Sequence, residues 1–326
     1  MSETVLESPD FDVVDPLAEP AIELNSLRKV YGNKVVVDDL TLSVDFGEVF
    51  GFLGPNGAGK TTSIKMLMGL VYPTSGSARL LGRPLGDRAA RRQIGFLPEL
   101  FRFHEWLTGT EFLDLHGQLY GMSRAARAKR IPEVLALVDL SAEARKKIRT
   151  YSKGMQQRIG LAQSLLNSPR LVFLDEPTSA LDPLGRRDVR AILSRLHSEG
   201  VTVFLNSHLL SEVEMSSDRV AIIDHGRVAA IGRIEDLLAR DLTVEFRLGP
   251  VTPETIAELG TLLRIEQVVS GPHTLITARA PSEALVAQAV DLLSRRQVPV
   301  YGVMPERRSL EDVFVDVVSP EREPGR

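Results

Sequence analysis

The stretch Gly54-Pro55-Asn56-Gly57-Ala58-Gly59-Lys60-Thr61-Thr62 decides how the rest of the chain is read. It fits the pattern G-x-x-x-x-G-K-[ST]. Its glycines let the backbone turn so that successive N–H groups point into one cavity and bind phosphate oxygens. A helix opening at Lys60 adds the positive end of its dipole. Lys60 is expected to reach the β- and γ-phosphates of a nucleoside triphosphate, and Thr61 to hold Mg²⁺. The flanks agree with this. Residues 47–53 (GEVFGFL) read as an apolar strand, and 60–70 as a helix with Met66, Leu67 and Leu70 on its buried face.

Downstream, Leu171-Val172-Phe173-Leu174-Asp175-Glu176 is an apolar strand that ends in two acids. Carboxylates at the C-terminal end of a parallel strand sit in the crevice where ligands bind. Asp175 is expected to hold Mg²⁺, directly or through water, and Glu176 to polarise the attacking water as general base. A second apolar run, 201–205 (VTVFL), leads into Asn206-Ser207-His208, which places His208 where it can reach a γ-phosphate or that water. Tyr151-Ser152-Lys153-Gly154-Met155 opens a helical segment. Ser152 is a good N-cap there, and the free amides that follow form an anion site. Strands at 77–81, 93–97, 171–174 and 201–205, with a helix at 183–198, describe a parallel α/β sheet. The segment 108–166 is helical, with apolar repeats in Phe112, Leu115, Leu119 and in Val134, Leu137, Val138.

Composition sets the limits. The chain has 326 residues, 39 basic and 43 acidic side chains, and a net charge of -4. That balance argues against nucleic acid as the main partner. The absence of cysteine excludes a disulfide scaffold, a thiolate-bound metal and thiol catalysis. No apolar run approaches the 18 or so residues of a membrane span, and no signal peptide is expected at the N-terminus. Residues 1–20 hold six acids and no base, and read as a disordered acidic tail. Beyond Gly232 the pattern becomes strand 242–248, helix 253–259, strands 263–269 and 274–279, helix 281–296 and strand 298–304. This is the βαββαβ, ferredoxin-like order of a small α+β domain. A last amphipathic helix at 309–317 carries Leu310, Val313, Phe314 and Val317.

The sequence of these motifs resembles the nucleotide-binding domain of ABC ATPases over residues 27–235 or so. The resemblance implies an α/β P-loop NTPase core of the ABC type over 21–238, with a helical subdomain at about 100–166. The accessory domain would then span 239–318, and 319–326 would form a tail. It also implies residue roles. Tyr31 stacks on adenine, Gly54 to Thr62 form Walker A, and Asp175 and Glu176 are the Walker B acids. Ser179, Ala180, Leu181 and Asp182 form the D-loop, and His208 is the switch histidine. Residues 151–155 stand at the signature, which binds the γ-phosphate held by a partner copy; Ser152 and Gly154 are kept, while Tyr151, Lys153 and Met155 depart from the usual LSGGQ. Glu99 takes the place of the usual Q-loop glutamine, where it can still contact Mg²⁺ while adding negative charge. These variants, and Arg308-Ser309-Leu310-Glu311-Asp312-Val313-Phe314 near the end, resemble bacterial ABC-2-type exporter ATPases.

The resemblance implies ATP and Mg²⁺ as cofactors, a second ATPase copy as partner and membrane permease subunits on separate chains. The expected location is the cytoplasmic face of the cell membrane, through that permease. The alternative is a soluble ABC ATPase acting on ribosomes or nucleic acid. One Walker A in the chain, with no long coiled coil between residues 54 and 151, counts against it. The accessory domain is expected to be a ligand-sensing module or a contact surface for the second copy. The apolar face of the 309–317 helix favours contact.

Overall fold

The computed structural model describes residues 19–179, 181–238, 242–306 and 308–318. Both expected tails, apart from Glu19 and Pro20, lie outside the described residues, and so does Ala180. The chain divides into two compact units, residues 1–230 and 231–326.

In chain order the first unit runs β1 (Ile22–Tyr31), β2 (Lys34–Val44), β3 (Val49–Leu53), α1 (Lys60–Leu67), β4 (Ser75–Leu80), β5 (Arg83–Pro84), α2 (Arg88–Arg91) and β6 (Ile94–Leu97). Then come α3 (Gly109–Leu119), α4 (Arg124–Leu137) and α5 (Lys153–Ser164). The strands return with β7 (Leu171–Asp175), α6 (Pro183–Ser198), β8 (Thr202–Asn206), α7 (Leu210–Ser216), β9 (Arg219–Asp224) and β10 (Arg227–Arg233), the last crossing the division.

Two sheets share one core. A six-stranded sheet has the order β10-β9-β3-β8-β7-β6, and β9, β3, β8, β7 and β6 run parallel to one another. Its central strands β3, β7 and β8 are buried at every residue, which is why they read as unbroken apolar runs. Register places Phe204 beside both Phe50 and Phe173. The ring centroids lie 5.8 Å and 5.2 Å apart, and Phe52 adds a third contact at 5.0 Å. Such aromatic pairs are each worth about 0.5–1.5 kcal/mol beyond their buried area. The second sheet, β2-β1-β4-β5, is antiparallel and closes the same hydrophobic core through Ile22, Leu24, Leu27, Leu40 and Val44.

Two helix expectations are corrected. α1 ends at Leu67, not near residue 70, because Gly69 takes a left-handed φ of 66° that turns the chain away; Leu70 is 65% exposed instead of buried. Leu119, read as part of a buried stripe, lies at the end of α3 and is 75% exposed. Side chains cap helices elsewhere. Thr108 and Glu111 form a reciprocal capping box on α3, and Asp182 with Pro183 opens α6.

The second unit contains α8 (Ile234–Leu238), β11 (Leu242–Leu248), α9 (Pro253–Leu262), β12 (Arg264–Val269), β13 (Thr274–Ala280), α10 (Glu283–Arg295), β14 (Val300–Glu306) and α11 (Leu310–Val318). Its antiparallel sheet has the order β12-β13-β11-β14, the 2-3-1-4 arrangement of a βαββαβ motif. Val244, Phe246 and Leu248 of β11 and Ile276, Ala278 and Ala280 of β13 meet Leu259 of α9 and Val286, Ala289 and Leu293 of α10 in one core. α11 packs against α8, and its Leu310 and Val313 are buried.

Candidate functional site

β3 delivers the chain into the glycine-rich loop, and α1 starts at Lys60 with no side-chain cap. The loop tolerates only glycine at key points. Gly57 and Gly59 have φ of 86° and 104°, and a Cβ at Gly54 or Gly59 would lie 2.3 Å from the Ile223 carbonyl oxygen or 2.6 Å from that of Val36. The amides at the start of α1 are therefore donors without a side-chain acceptor at the positive end of the helix. Lys60 folds back over this loop, and its Nζ donates to the carbonyls of Gly54 at 2.6 Å and Pro55 at 3.1 Å. Thr61 and Thr62 occupy the first turn of α1. Pro55, Asn56 and Ala58 complete the turn, which Ala58 closes by an N–H bond to the Pro55 carbonyl.

The two acids arrive from β7. Asp175 is 3% and Glu176 7% exposed, so both carboxylates are buried at the strand end. Burial raises the Asp175 carboxyl above its ordinary value; hydrogen bonding from Asn206 opposes this, and the charges of Glu99 and Glu176 add to it. Burial lowers the Lys60 ammonium, against the pull of Glu176, Asp175 and Glu99. These mutual effects bring Lys60, Asp175, Glu176 and Glu99 into one electrostatic cluster, although Glu99 itself is solvent-exposed.

Glu176 sits at φ 56°, an uncommon conformation for a side chain of this size. Its N–H bonds the Asn206 carbonyl at 2.8 Å, which sets the acid beside the end of β8. There the His208 N–H donates to Glu176 Oε1 at 2.9 Å, and His208 Nδ1 lies 2.7 Å from Oε2. An ionised carboxylate only accepts, so Nδ1 carries the proton in this contact. His208, expected to reach a phosphate or the attacking water, is placed against the acid expected to activate that water.

The signature residues line a different recess. Ser152 caps α5 and accepts the Met155 N–H at 3.2 Å. Ser152, Gly154 and Met155 border a cavity of about 450 Å³ together with Leu181 and Asp182 of the expected D-loop. Lys153 is exposed at the start of the helix. Tyr151 is buried and donates its hydroxyl proton to the Glu143 carbonyl at 2.8 Å, so its place in the motif serves packing. Asp182 caps α6 through the Gly185 N–H, and Ser179 Oγ donates to the Glu176 carbonyl at 3.2 Å. Tyr31, at the end of β1, is 47% exposed with the Lys29 ammonium 4.9 Å from its ring centre.

Two residues escaped the sequence reading. Asn206 Nδ2 donates to Asp175 Oδ1, and Gln157 Nε2 donates to the Glu176 carbonyl at 3.2 Å, tying α5 to the chain after β7. The available signal for Asn206 was an amide closing an otherwise apolar strand.

Comparison with known proteins agrees with this geometry. Residues 37–179 match the ABC transporter family model. The chain is 47% identical, over 73% of its own length and 73% of the relative's, to an uncharacterized ABC transporter ATP-binding protein of Nostoc sp.. It is 37% identical to the daunorubicin/doxorubicin resistance ATP-binding protein of Streptomyces peucetius, over 90% of this chain and 91% of the other. Among solved structures, a dimeric ATP-binding cassette in a post-hydrolysis state bound to ADP and Pi superposes with a TM-score of 0.60 at 27% identity, covering 65% of this chain and 98% of that one. The chain belongs to the ABC transporter ATP-binding proteins and is an ATP hydrolase of that family.

Proposed function

We propose that two copies of this chain bind two Mg-ATP between them and drive export through permease subunits carried on separate chains, at the cytoplasmic face of the cell membrane. The observation that carries this reading is the convergence of Lys60, Asp175, Glu176 and His208 on adjacent strand ends beside the glycine loop. Lys60 binds the β- and γ-phosphates, Glu176 takes the proton of the attacking water, and His208 keeps Glu176 in place. Ser152 to Met155 form the half-site for the γ-phosphate bound by the second copy, with Tyr31 against adenine. Residues 21–238 carry this chemistry and 239–318 an accessory role.

The donor set suits Mg²⁺. Asp175, Glu176 and Glu99 all act on the Lys60 ammonium, and a hard divalent cation would relieve their mutual charge. Among the described residues no three acidic or histidine side chains form a closed metal cage. Phosphate oxygens and the Thr61 hydroxyl would therefore complete a shell held from the protein by Asp175, with Glu99 near it. Bound there, the ion neutralises charge on the phosphates.

No described helix is long and apolar enough to cross a membrane, in keeping with a separate permease. Export rather than import is supported by the resistance protein of S. peucetius, which aligns over nearly all of both chains.

Lys60→Ala tests the phosphate site. Losing one charge-assisted contact should weaken Mg-ATP binding about 10- to 100-fold in equilibrium titrations. Unchanged affinity would place the phosphates elsewhere.

A further inference from the structure

Asn206 holds both acids of the site at once. Parallel register sets it opposite Asp175. Its carbonyl accepts the Glu176 N–H at 2.8 Å, and its side-chain Nδ2 donates to Asp175 Oδ1 at 2.5 Å. Chemistry fixes the orientation of the amide, since turning it over would press its oxygen against a carboxylate oxygen. The residue is 2% exposed, and its other end, Oδ1, takes no hydrogen bond from the described residues. A buried acceptor left without a donor costs about 1–3 kcal/mol. Packing alone would be better served by an apolar residue, as at Val203, Phe204 and Leu205 just before it. The position therefore carries a polar group for a reason other than filling space.

We propose that Asn206 is a positioning residue of the hydrolytic site. Nδ2 fixes the Asp175 carboxylate in the orientation that meets the metal–nucleotide, and Oδ1 accepts from a water of the loaded site. The inference rests on the reading of Asp175 as the carboxylate that holds the divalent ion. Asn206 touches neither nucleotide nor metal and acts through Asp175. Residues that hydrogen-bond a metal ligand typically contribute about 10–100-fold to metal affinity.

The test uses the full chain and two readouts. Mn²⁺ binding is followed by electron paramagnetic resonance in the presence of a saturating non-hydrolysable ATP analogue. Metal-free affinity for a fluorescent ATP analogue is measured in EDTA. Asn206→Ala and the similarly sized Asn206→Leu should each weaken Mn²⁺ about 10–100-fold and leave metal-free nucleotide affinity at the wild-type value. Unchanged Mn²⁺ affinity in both variants overturns the proposal. So does an equal fall in metal-free nucleotide affinity, which marks a merely structural role. Asp175→Asn separates the two possible failures. Wild-type Mn²⁺ affinity in that variant sinks the reading of Asp175 and the proposal with it; loss there, with unchanged affinity in the Asn206 variants, sinks the proposal alone.

Discussion

The two sheets that carry helices in this chain use their strand ends in opposite ways. In the first unit Asp175, Glu176, Thr178, Asn206 and Ser207 are all buried where β7 and β8 run out, although burying charge and polarity costs free energy. In the second unit the only buried polar residue among those described is Thr255, whose hydroxyl lies 3.2 Å from that of Thr252, the cap of α9. Its β11 and β13 bury aliphatic and aromatic side chains in alternation and nothing else. Both sheets have sound apolar cores. What separates them is polarity held at a strand end against the preference of burial, and that is where we place the chemistry.

The comparison makes opposite claims about mutation. Phe246 is fully buried in the second unit, so Phe246→Ala should destabilise that unit by about 3–5 kcal/mol. Mg-ATP binding should not change. Thermal unfolding with limited proteolysis, followed by nucleotide titration, checks this; a parallel loss of ATP affinity would break the separation.

At the first unit's strand end the smaller effect has the reverse sign. The Asp175 carboxyl is raised in the folded protein, chiefly by burial. Its neutral form is thus favoured by folding. The stabilisation is present below the unfolded value and is lost as pH rises through the raised folded value, so at neutral pH the charge destabilises the nucleotide-free protein. Asp175→Asn should raise the melting temperature of the nucleotide-free chain by about 2–4 °C, the shift a domain of this size shows per kcal/mol, while Mg-ATP hydrolysis is lost. A lower melting temperature would mean that the ionised group stabilises the fold and that the strand end is not strained by its acids.

Much of this was legible in the sequence because it is local. Helix 183–198 and strand 242–248 have the expected bounds, since a capping Asp182-Pro183 pair and a clean apolar alternation mark them. The glycine loop and the acids after LVFL announce themselves by residue type. The misreadings arose where a single backbone angle or a distant packing partner decides. Gly69 ended α1 although the apolar spacing ran on to Leu70, and Leu119, spaced as part of a buried stripe, ends α3 exposed. Asn206 and Gln157 went unrecognised for a related reason. Their partners lie 31 and 19 residues away, and only the β7–β8 register and the placement of α5 bring them together. The contact of His208 with Glu176 likewise joins residues 32 apart, which no spacing encodes.

The central claim is that Glu176, buried at the end of β7 and held by His208, is the base that activates water. Its most direct measurement is single-turnover hydrolysis of Mg-ATP by Glu176→Gln in the assembled complex, with nucleotide affinity determined on the same sample. Loss of a general base predicts a rate lowered about 10²–10⁴-fold with ATP binding retained. Hydrolysis near the wild-type rate would contradict the account and move the base elsewhere.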